Sequence, residues 1–232
     1  MTVPIRVAIL EDHQSIIDGY LFRLVEFPEI QIVATAHWGD ELKPMLENNA
    51  VDVLVLDLNI PTSTENRNLF PILHTLPALL ATYPDLSVLV ISMLTSLPLI
   101  EALEEVGVRG YISKDDSASI EHLGKIILMI ANGGVYFNRG LRRVIPKPHP
   151  EIQLTPRQTE VLSLCAAYPD DSSQMLAKRT GVSSSTIRNL LSTTYFRLGV
   201  RTRAAAIAKA QSLELIPFQK VTLDDQVTEK SI

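Results

Sequence analysis

The chain has 232 residues, of which 46% are apolar and 20% are charged, and its net charge is −5. These values are typical of a globular protein long enough for more than one core, and they exclude a chain that is disordered throughout. No stretch reaches the roughly 18 uninterrupted apolar residues that a membrane span requires, and the N-terminus lacks the pattern of a signal peptide. The sequence therefore predicts a cytoplasmic protein without a membrane segment.

The charge is unevenly distributed along the chain. Residues 1–149 carry eleven Lys and Arg against eighteen Asp and Glu, whereas residues 150–216 carry eight against five. The acidic part suits a cation site, and the basic part suits a polyanion. The single cysteine, Cys165, lies in an apolar helical stretch, which favours a buried thiol over a nucleophile.

Up to about residue 132, short β-rich runs alternate with segments that have the apolar spacing of helices. The five predicted strands are Ile5–Leu10, Ile30–Ala36, Val53–Asp57, Ser87–Ser92 and Gly110–Ser113. The helices predicted between and after them are Ser15–Glu26, Asp40–Glu47, Asn68–Thr82, Leu99–Val106 and Ser117–Ala131. This alternation indicates an α/β domain over residues 1–132, with a flavodoxin-like, doubly wound, five-stranded parallel sheet.

The pattern changes after this region. Residues 133–152 are rich in glycine, arginine and proline, and we interpret them as a semi-stiff linker. Residues 153–216 contain helical segments and no strand, which predicts an all-α domain of four helices, and the polar residues 217–232 are predicted to be a tail. The four predicted helices are Pro156–Ala167, Ser173–Thr180, Ser184–Leu198 and Arg203–Leu213.

Four of the predicted strands are followed by, or end in, polar residues. Glu11 and Asp12 follow the first strand, and Asp57 ends the third. Because the carboxyl ends of parallel strands meet at one edge of a sheet, these carboxylates are forced together, and a divalent cation such as Mg²⁺ would relieve their repulsion. Ser92 and Lys114, which end the fourth strand and follow the fifth, would then bind anionic oxygens of a substrate.

The same segments resemble the receiver domains of two-component response regulators. The segments that carry the resemblance are Ala8–Gly19, Val55–Pro61, Val90–Ser92 and Gly110–Asp115. The resemblance implies that a sensor histidine kinase phosphorylates Asp57, with Mg²⁺ held by Glu11, Asp12, Asp57 and the carbonyl of Asn59. It also implies that Ser92 and Lys114 contact the phosphoryl oxygens and that Tyr111 changes rotamer as Ser92 moves.

The C-terminal segment has the turn chemistry of a helix-turn-helix, with Gly181 suited to positive φ and Ser183 suited to cap the next helix. One face of that helix is polar, and it carries Ser184, Ser185, Arg188, Asn189 and Ser192. We expect Arg188 and Asn189 to reach base edges in the major groove. The residues expected to bind phosphates are Lys178, Arg179, Arg197, Arg201 and Arg203.

This segment resembles the DNA-binding domain of LuxR/NarL-type regulators. The resembling segments are Leu154–Leu162, Leu176–Ser183, Thr186–Arg188 and Arg197–Val200. The resemblance implies a transcription factor that binds double-stranded DNA as a homodimer, paired through the last helix.

Several positions depart from these family patterns. Met93 stands after Ser92 where a small residue is usual, and the loop after Pro61 is several residues longer and lacks a glycine, which we interpret as restricting the partner kinase. In the second domain the departures are Gln158, Met175, Leu190 and Ser192.

Two alternatives remain. Met93 and the long loop suggest a regulator that needs no phosphate and whose receiver is a docking or dimerisation module. A Mg²⁺-dependent phosphohydrolase with Asp57 as nucleophile is disfavoured, because Asn59 stands where such enzymes commonly have an acid. We therefore expect a regulator and not an enzyme.

Overall fold

The computed structural model describes residues 3–137 and 153–218, and its first part is a parallel sheet with helices on both faces. The strands are β1 (Ile5–Leu10), β2 (Ile30–Ala36), β3 (Val53–Leu56), β4 (Ser87–Ser92), β5 (Gly110–Ser113) and β6 (Tyr136–Phe137). The helices are α1 (Gln14–Leu24), α2 (Leu42–Asn48), α3 (Ile72–Thr82), α4 (Leu97–Val106), α5 (Ser117–Glu121) and α6 (Leu123–Ala131). The predicted α/β fold is confirmed.

The strand order is β2-β1-β3-β4-β5-β6, and all neighbouring strands are parallel. Leu10 pairs with Leu56 and Leu56 pairs with Val90, so β1 and β3 end at the same level and β4 continues for two further residues, to Ser92. Ser92 pairs with Ser113, which aligns the end of β5 with that of β4. The residues that follow these strands therefore lie together at one edge of the sheet, as the sequence predicted.

Two apolar clusters cover the two faces of the sheet. Alternate strand residues such as Ile9 and Val55 pack against α1 and α6. Their neighbours, such as Leu10 and Leu56, pack against α2, α3 and α4. All four residues of β3 are buried, as expected for a central strand covered on both faces.

The structure corrects the predicted strand count. β6 is a sixth strand, and it pairs with β5 at the edge of the sheet. It lies within residues 133–152, which the sequence indicated as linker, and residues 138–152 fall outside the described part. A strand of two residues is too short to produce a period-2 pattern, so the sequence carries no signal for it.

Three helix predictions also differ from the structure. The segment predicted as Asp40–Glu47 forms a 3₁₀ turn, Gly39–Glu41, followed by α2. Helix α3 begins at Ile72 because Pro61 and Leu69 form an antiparallel bridge that holds the preceding residues as a loop. The single helix predicted over residues 117–131 is interrupted at His122, between α5 and α6.

The second part contains helices α7 (Pro156–Ala167), α8 (Ser173–Thr180), α9 (Ser184–Leu198) and α10 (Arg203–Ser212). Each begins at a side-chain cap, as in α9, where the Ser183 hydroxyl accepts from the Thr186 amide. Gly181 adopts φ 68°, the left-handed conformation that its position predicted. Cys165 is buried in the core, where burial raises the pKa of its thiol to about 11. Within residues 3–137 and 153–218, no helix is long and apolar enough to span a bilayer.

The C-terminal helices pack against the sheet-containing part through α7, which contacts α3. The Nδ1 of His74 lies 2.8 Å from a carboxylate oxygen of Glu160 across this contact. The loop before α3 reaches the end of α7, where the amides of Asn66 and Asn68 donate to the carbonyl of Ala167 at 3.0 and 3.3 Å. The last carbonyls of a helix have no N–H partner within the helix, and residues of the long loop supply such donors to α7.

Candidate phosphorylation site and nucleic-acid interface

Lys114 joins two carboxylates at the carboxyl edge of the sheet. Its ammonium nitrogen lies 2.7 Å from Oε2 of Glu11 and 2.8 Å from Oδ2 of Asp57. Glu11 and Asp57 are only 1% and 5% exposed, so their charges are largely removed from water. The other oxygen of Asp57 accepts from the amide of Leu58 at 2.6 Å. Of the predicted cluster, Glu11 and Asp57 are therefore joined by one ammonium group.

The electrostatics of this cluster reflect the burial of like charges. Burial and the charge of Asp57 raise the pKa of Glu11 to about 7, although Lys114 acts in the opposite direction. Burial lowers the pKa of Lys114, but the two carboxylates more than offset this, and that pKa lies above its ordinary value. A second positive charge at this edge would favour the ionised form of Glu11.

A histidine that the sequence analysis did not select lies beside the carboxylates. Ligand atoms of Glu11, Asp12 and His13 all lie within 4.8 Å of one another. The ring nitrogen of His13 lies 2.7 Å from Asp12. Burial lowers the pKa of His13, but the charges of Asp12 and Glu11 more than offset this effect. His13 follows the acidic pair directly, and its position after β1 was the available signal.

The oxygen atoms at this edge match the preferences of a hard divalent cation. Glu11, Asp12 and Asp57 offer carboxylates, and carboxylate and carbonyl oxygens are what Mg²⁺ binds in proteins. Asn59 is half-buried, and its side-chain oxygen has no hydrogen-bond partner among the described residues. An uncompensated buried oxygen two residues after Asp57 is suited to a cation or to its bound water.

Ser92 and Tyr111 meet at the segment between β4 and α4. The Ser92 hydroxyl, which is buried, accepts from the amide of Leu94 at 3.3 Å. The hydroxyl of Tyr111 donates to the carbonyl of Leu94, and the ring is fully buried. The two residues that the resemblance paired as a switch therefore hold the same backbone segment. Met93 is half-buried within it.

The same segment touches the C-terminal helices. The hydroxyl of Ser96, which is 7% exposed, donates to the carbonyl of Glu214 at 2.6 Å. Glu214 follows α10 and has φ 52°, a left-handed conformation that is uncommon outside glycine. Ser96 was not predicted from the sequence, because nothing in a serine before a helix distinguishes a cap from a contact with a distant element.

The predicted DNA-binding face of α9 is open. Ser185, Arg188, Asn189 and Ser192 are exposed, and Ser184 is half-buried. The packing of α7 against α3 leaves this face uncovered.

The predicted phosphate-binding residues divide into two groups. Lys178, Arg179, Arg197 and Arg201 are exposed and Arg203 is half-buried, but the hydrogen bonds shown for these residues differ. Lys178 and Arg201 form the first group. The other three donate within the helical part. Arg179 binds Asp171 at 2.7 Å, Arg197 donates to Gln153 and Gln158, and Arg203 donates to the carbonyls of Pro169 and Asp171.

The departures from the family pattern have separate structural settings. Gln158 is buried, and its side chain accepts from the Thr155 amide, completing the cap of α7, while its amide donates to Thr193 at 3.0 Å. Met175 is exposed on α8, and Leu190 packs partly buried against the helical core. The side-chain amide of Gln158 thus acts both as an acceptor and as a donor.

Comparison with known proteins shows what this chain is similar to. Residues 7–125, just over half of the chain, match the family described as the response regulator receiver domain. The transcriptional regulatory protein DegU of Brevibacillus brevis is 24% identical over 230 residues, covering 89% of this chain and 92% of DegU. The transcriptional regulatory protein LnrK of Bacillus subtilis is 26% identical over 222 residues, covering 87% of this chain and 94% of LnrK.

Solved structures that cover about nine-tenths of the chain share its fold. RcsB from Salmonella enterica serovar Typhimurium, bound to the promoter rprA in the presence of the phosphomimetic BeF3⁻, has a TM-score of 0.63 at 20% identity, over 89% of this chain and 98% of RcsB. Another structure of the Salmonella typhimurium RcsB response regulator has a TM-score of 0.62 at 22% identity, over 91% of this chain and 99% of that one. A parallel sheet followed by helices is therefore a fold that this chain shares with solved structures.

Proposed function

The chain belongs to the response regulator receiver domain family, as a regulator of the NarL/LuxR type and not an enzyme, and we propose that it is a transcription factor controlled by phosphorylation of Asp57. Its cytoplasmic partners would be a sensor histidine kinase and double-stranded DNA. We propose the division predicted from the sequence, with a receiver domain at 1–132, a linker at 133–152, a DNA-binding domain at 153–216 and a tail at 217–232, except that Tyr136–Phe137 belong to the sheet of the first domain.

One observation carries the proposal, namely the ammonium of Lys114 between Asp57 and Glu11 at the ends of three strands. Phosphoryl transfer requires little from a protein beyond alignment and neutralisation of charge. An oxygen of Asp57 would attack the phosphorus of a phosphohistidine, so that an O–P bond forms while the N–P bond to the kinase breaks. Lys114 and Ser92 would then bind the transferred oxygens.

Mg²⁺ at this site would neutralise the charge that develops on the phosphoryl oxygens. Glu11, Asp12, Asp57 and the carbonyl of Asn59 would hold it. The raised pKa of Glu11 supports this assignment, because it reports buried negative charge that the residues present compensate only in part.

The output would follow from the segment after β4. A phosphoryl group that draws in the Ser92 hydroxyl takes away the acceptor of the Leu94 amide. Leu94 is in turn held by Tyr111, and two residues later Ser96 holds Glu214. A rearrangement of these few residues would thus change the contact with the C-terminal helices, and free them to pair as a homodimer through α10.

Recognition of DNA would use the exposed face of α9. Arg188 and Asn189 would reach base edges, with the serines of this face and Lys178 and Arg201 at its margins. Because Arg179, Arg197 and Arg203 already have partners, we propose only a secondary contact with phosphates for them.

The test compares the full chain with its Asp57→Asn variant. With Mg²⁺ and a small phosphodonor, the wild-type chain should gain one phosphoryl group by intact-mass spectrometry and the variant none. DNA sites selected from a random pool should then be bound more tightly by the wild-type chain when beryllofluoride and Mg²⁺ are present. Full phosphorylation of the variant would refute the assignment of Asp57.

The second candidate is a regulator that acts without phosphate, with the receiver as a docking or dimerisation module. Met93 beside Ser92 and the open face of α9 favour it, since the helix is accessible without phosphate. DNA affinity and oligomeric state that do not change on addition of beryllofluoride and Mg²⁺ would support this candidate over the first.

A further inference from the structure

The hydroxyl of Tyr20 is a buried polar group to which the proposed function gives no role. Tyr20 lies on α1 and is 4% exposed, and its oxygen has no hydrogen-bond partner among the described residues. A buried hydroxyl without a partner destabilises the folded state, whereas phenylalanine would fill the same space without that penalty. Packing accounts for the ring of Tyr20 but not for its oxygen.

Tyr20 packs on the face of the sheet from which the charged groups of the site project. Its ring belongs to the apolar cluster that contains Ile9, Val55 and Ile112. Side chains two positions apart on a strand share a face, so the same face continues into the site. The residues two positions after these three are Glu11, Asp57 and Lys114.

The direction of α1 brings the hydroxyl toward that edge. The helix begins at Gln14, directly after the carboxyl end of β1, and runs back along the sheet. Side chains on a helix tilt toward its N-terminus, which for Tyr20 is the edge where the site lies. Consistent with this direction, burial raises the pKa of Tyr20, and the charges of Glu11 and Asp57 raise it further. The group therefore remains a neutral hydroxyl, able to donate.

The carboxylates of Glu11 and Asp57 accept from Lys114, which the proposed function also assigns to the phosphoryl group. The ammonium of Lys114 binds Oε2 of Glu11 in this structure. If Lys114 binds the phosphoryl group, as the proposed function requires, this oxygen of Glu11 loses its donor. A buried carboxylate in that position needs a replacement.

We propose that Tyr20 is a positioning residue of the phosphorylation site, whose hydroxyl donates to the carboxylate of Glu11 once Lys114 has turned to the phosphoryl group. The inference rests on the proposed function, because it requires that Lys114 change partners. In the phosphate-free chain the hydroxyl of Tyr20 has no hydrogen-bond partner among the described residues. In the phosphorylated chain it keeps the carboxylate of Glu11 oriented toward the metal.

The test uses the full chain with the substitution Tyr20→Phe, which removes one oxygen and keeps the ring. Without Mg²⁺, the variant should be as stable as the wild-type chain or more stable, since an unpaired hydroxyl is lost. Its affinity for beryllofluoride with Mg²⁺, measured by calorimetry, should be about tenfold weaker, because a hydrogen bond to a charged group is lost.

The matched control is Tyr136→Phe. The hydroxyl of Tyr136 already has a partner, Ser119 Oγ at 2.7 Å. Tyr136 lies on the edge strand β6, whereas Glu11 and Asp57 follow β1 and β3. This variant should lose stability and bind beryllofluoride as the wild-type chain does. If Tyr20→Phe binds beryllofluoride with unchanged affinity, the inference is wrong while the proposed function stands. If the wild-type chain itself binds none, the proposed function fails first.

Discussion

Replacing Glu11 by glutamine should make the metal-free chain progressively more stable than the wild-type chain as the pH rises. Glu11 is buried beside Asp57, and Lys114 divides its charge between the two carboxylates. Ionising Glu11 in the folded state is therefore unfavourable. Glutamine keeps the shape and cannot ionise, so it removes this penalty at high pH and changes little at low pH, where the glutamate is protonated.

The magnitude follows from the pKa of Glu11, which is 4.5 ordinarily and about 7 in the folded chain. Because the folded state binds the proton more tightly, the contribution of Glu11 to stability is fully present below pH 4.5 and is lost as the pH rises through 7. At about 1.36 kcal/mol per pH unit, this interval of about 2.5 pH units corresponds to at most about 3–4 kcal/mol. The stability gap between variant and wild type should widen by that order between about pH 5 and pH 8.

The assay is urea unfolding in the presence of a chelator, followed by the fluorescence of Trp38, the single tryptophan, which lies just after β2 in the sheet-containing part. Glu101→Gln, at an exposed position on α4, is the matched control and should show no such widening. Mg²⁺ should stabilise the wild-type chain more at high pH than at low pH, and the Glu11→Gln variant much less. A gap that stays constant or narrows with pH would mean that the ion pair with Lys114 outweighs burial, and would refute the reasoning.

Three further predictions concern the switch and the output. Met93→Ala should speed phosphorylation by a small donor, because it leaves more room at the site; an unchanged rate in a rapid-quench assay would assign no steric role to this side chain. Ser96→Ala should cost about 1 kcal/mol of stability and increase the radius of gyration in small-angle scattering, whereas an equally compact variant would count against this contact as a link. Arg188→Ala should weaken DNA binding by about 1–3 kcal/mol and relax its specificity with no loss of stability, while Arg197→Ala should mainly lower the melting temperature; the reverse pattern would exchange their roles.

The sequence was sufficient for the elements whose pattern is long. The strands that carry the site were predicted within a residue, because a fully apolar run bounded by polar residues is typical of a buried strand. The C-terminal helices were predicted almost to the residue, because serine, threonine and glycine at their ends specify caps. β6 was missed for the opposite reason, since two residues form no period.

The site was predictable where topology alone brings residues together, and not where long-range contacts decide. Asp57 and Lys114 follow strands, so parallel pairing is enough to make them neighbours. Arg197 is exposed, yet it also donates to Gln158 on a different helix, and no local pattern distinguishes such an arginine from one without a partner in the protein. In the sequence Tyr20 resembles an ordinary core residue, because the apolar spacing of a helix does not indicate which groups the tyrosine hydroxyl lies near.

The long loop after Pro61 acquires a different meaning from its contacts. Its length was interpreted as a restriction on the partner kinase, and that interpretation stays untested. The structure instead gives it a partner within the chain, because Asn66 and Asn68 donate to the carbonyl that ends α7. The loop leaves the site after β3, just as the segment that carries Ser96 leaves it after β4. The segments that follow β3 and β4, the two neighbouring strands at the phosphorylation site, thus each contact the C-terminal helices. A structural change at the ends of these strands could therefore reach the C-terminal helices through either segment.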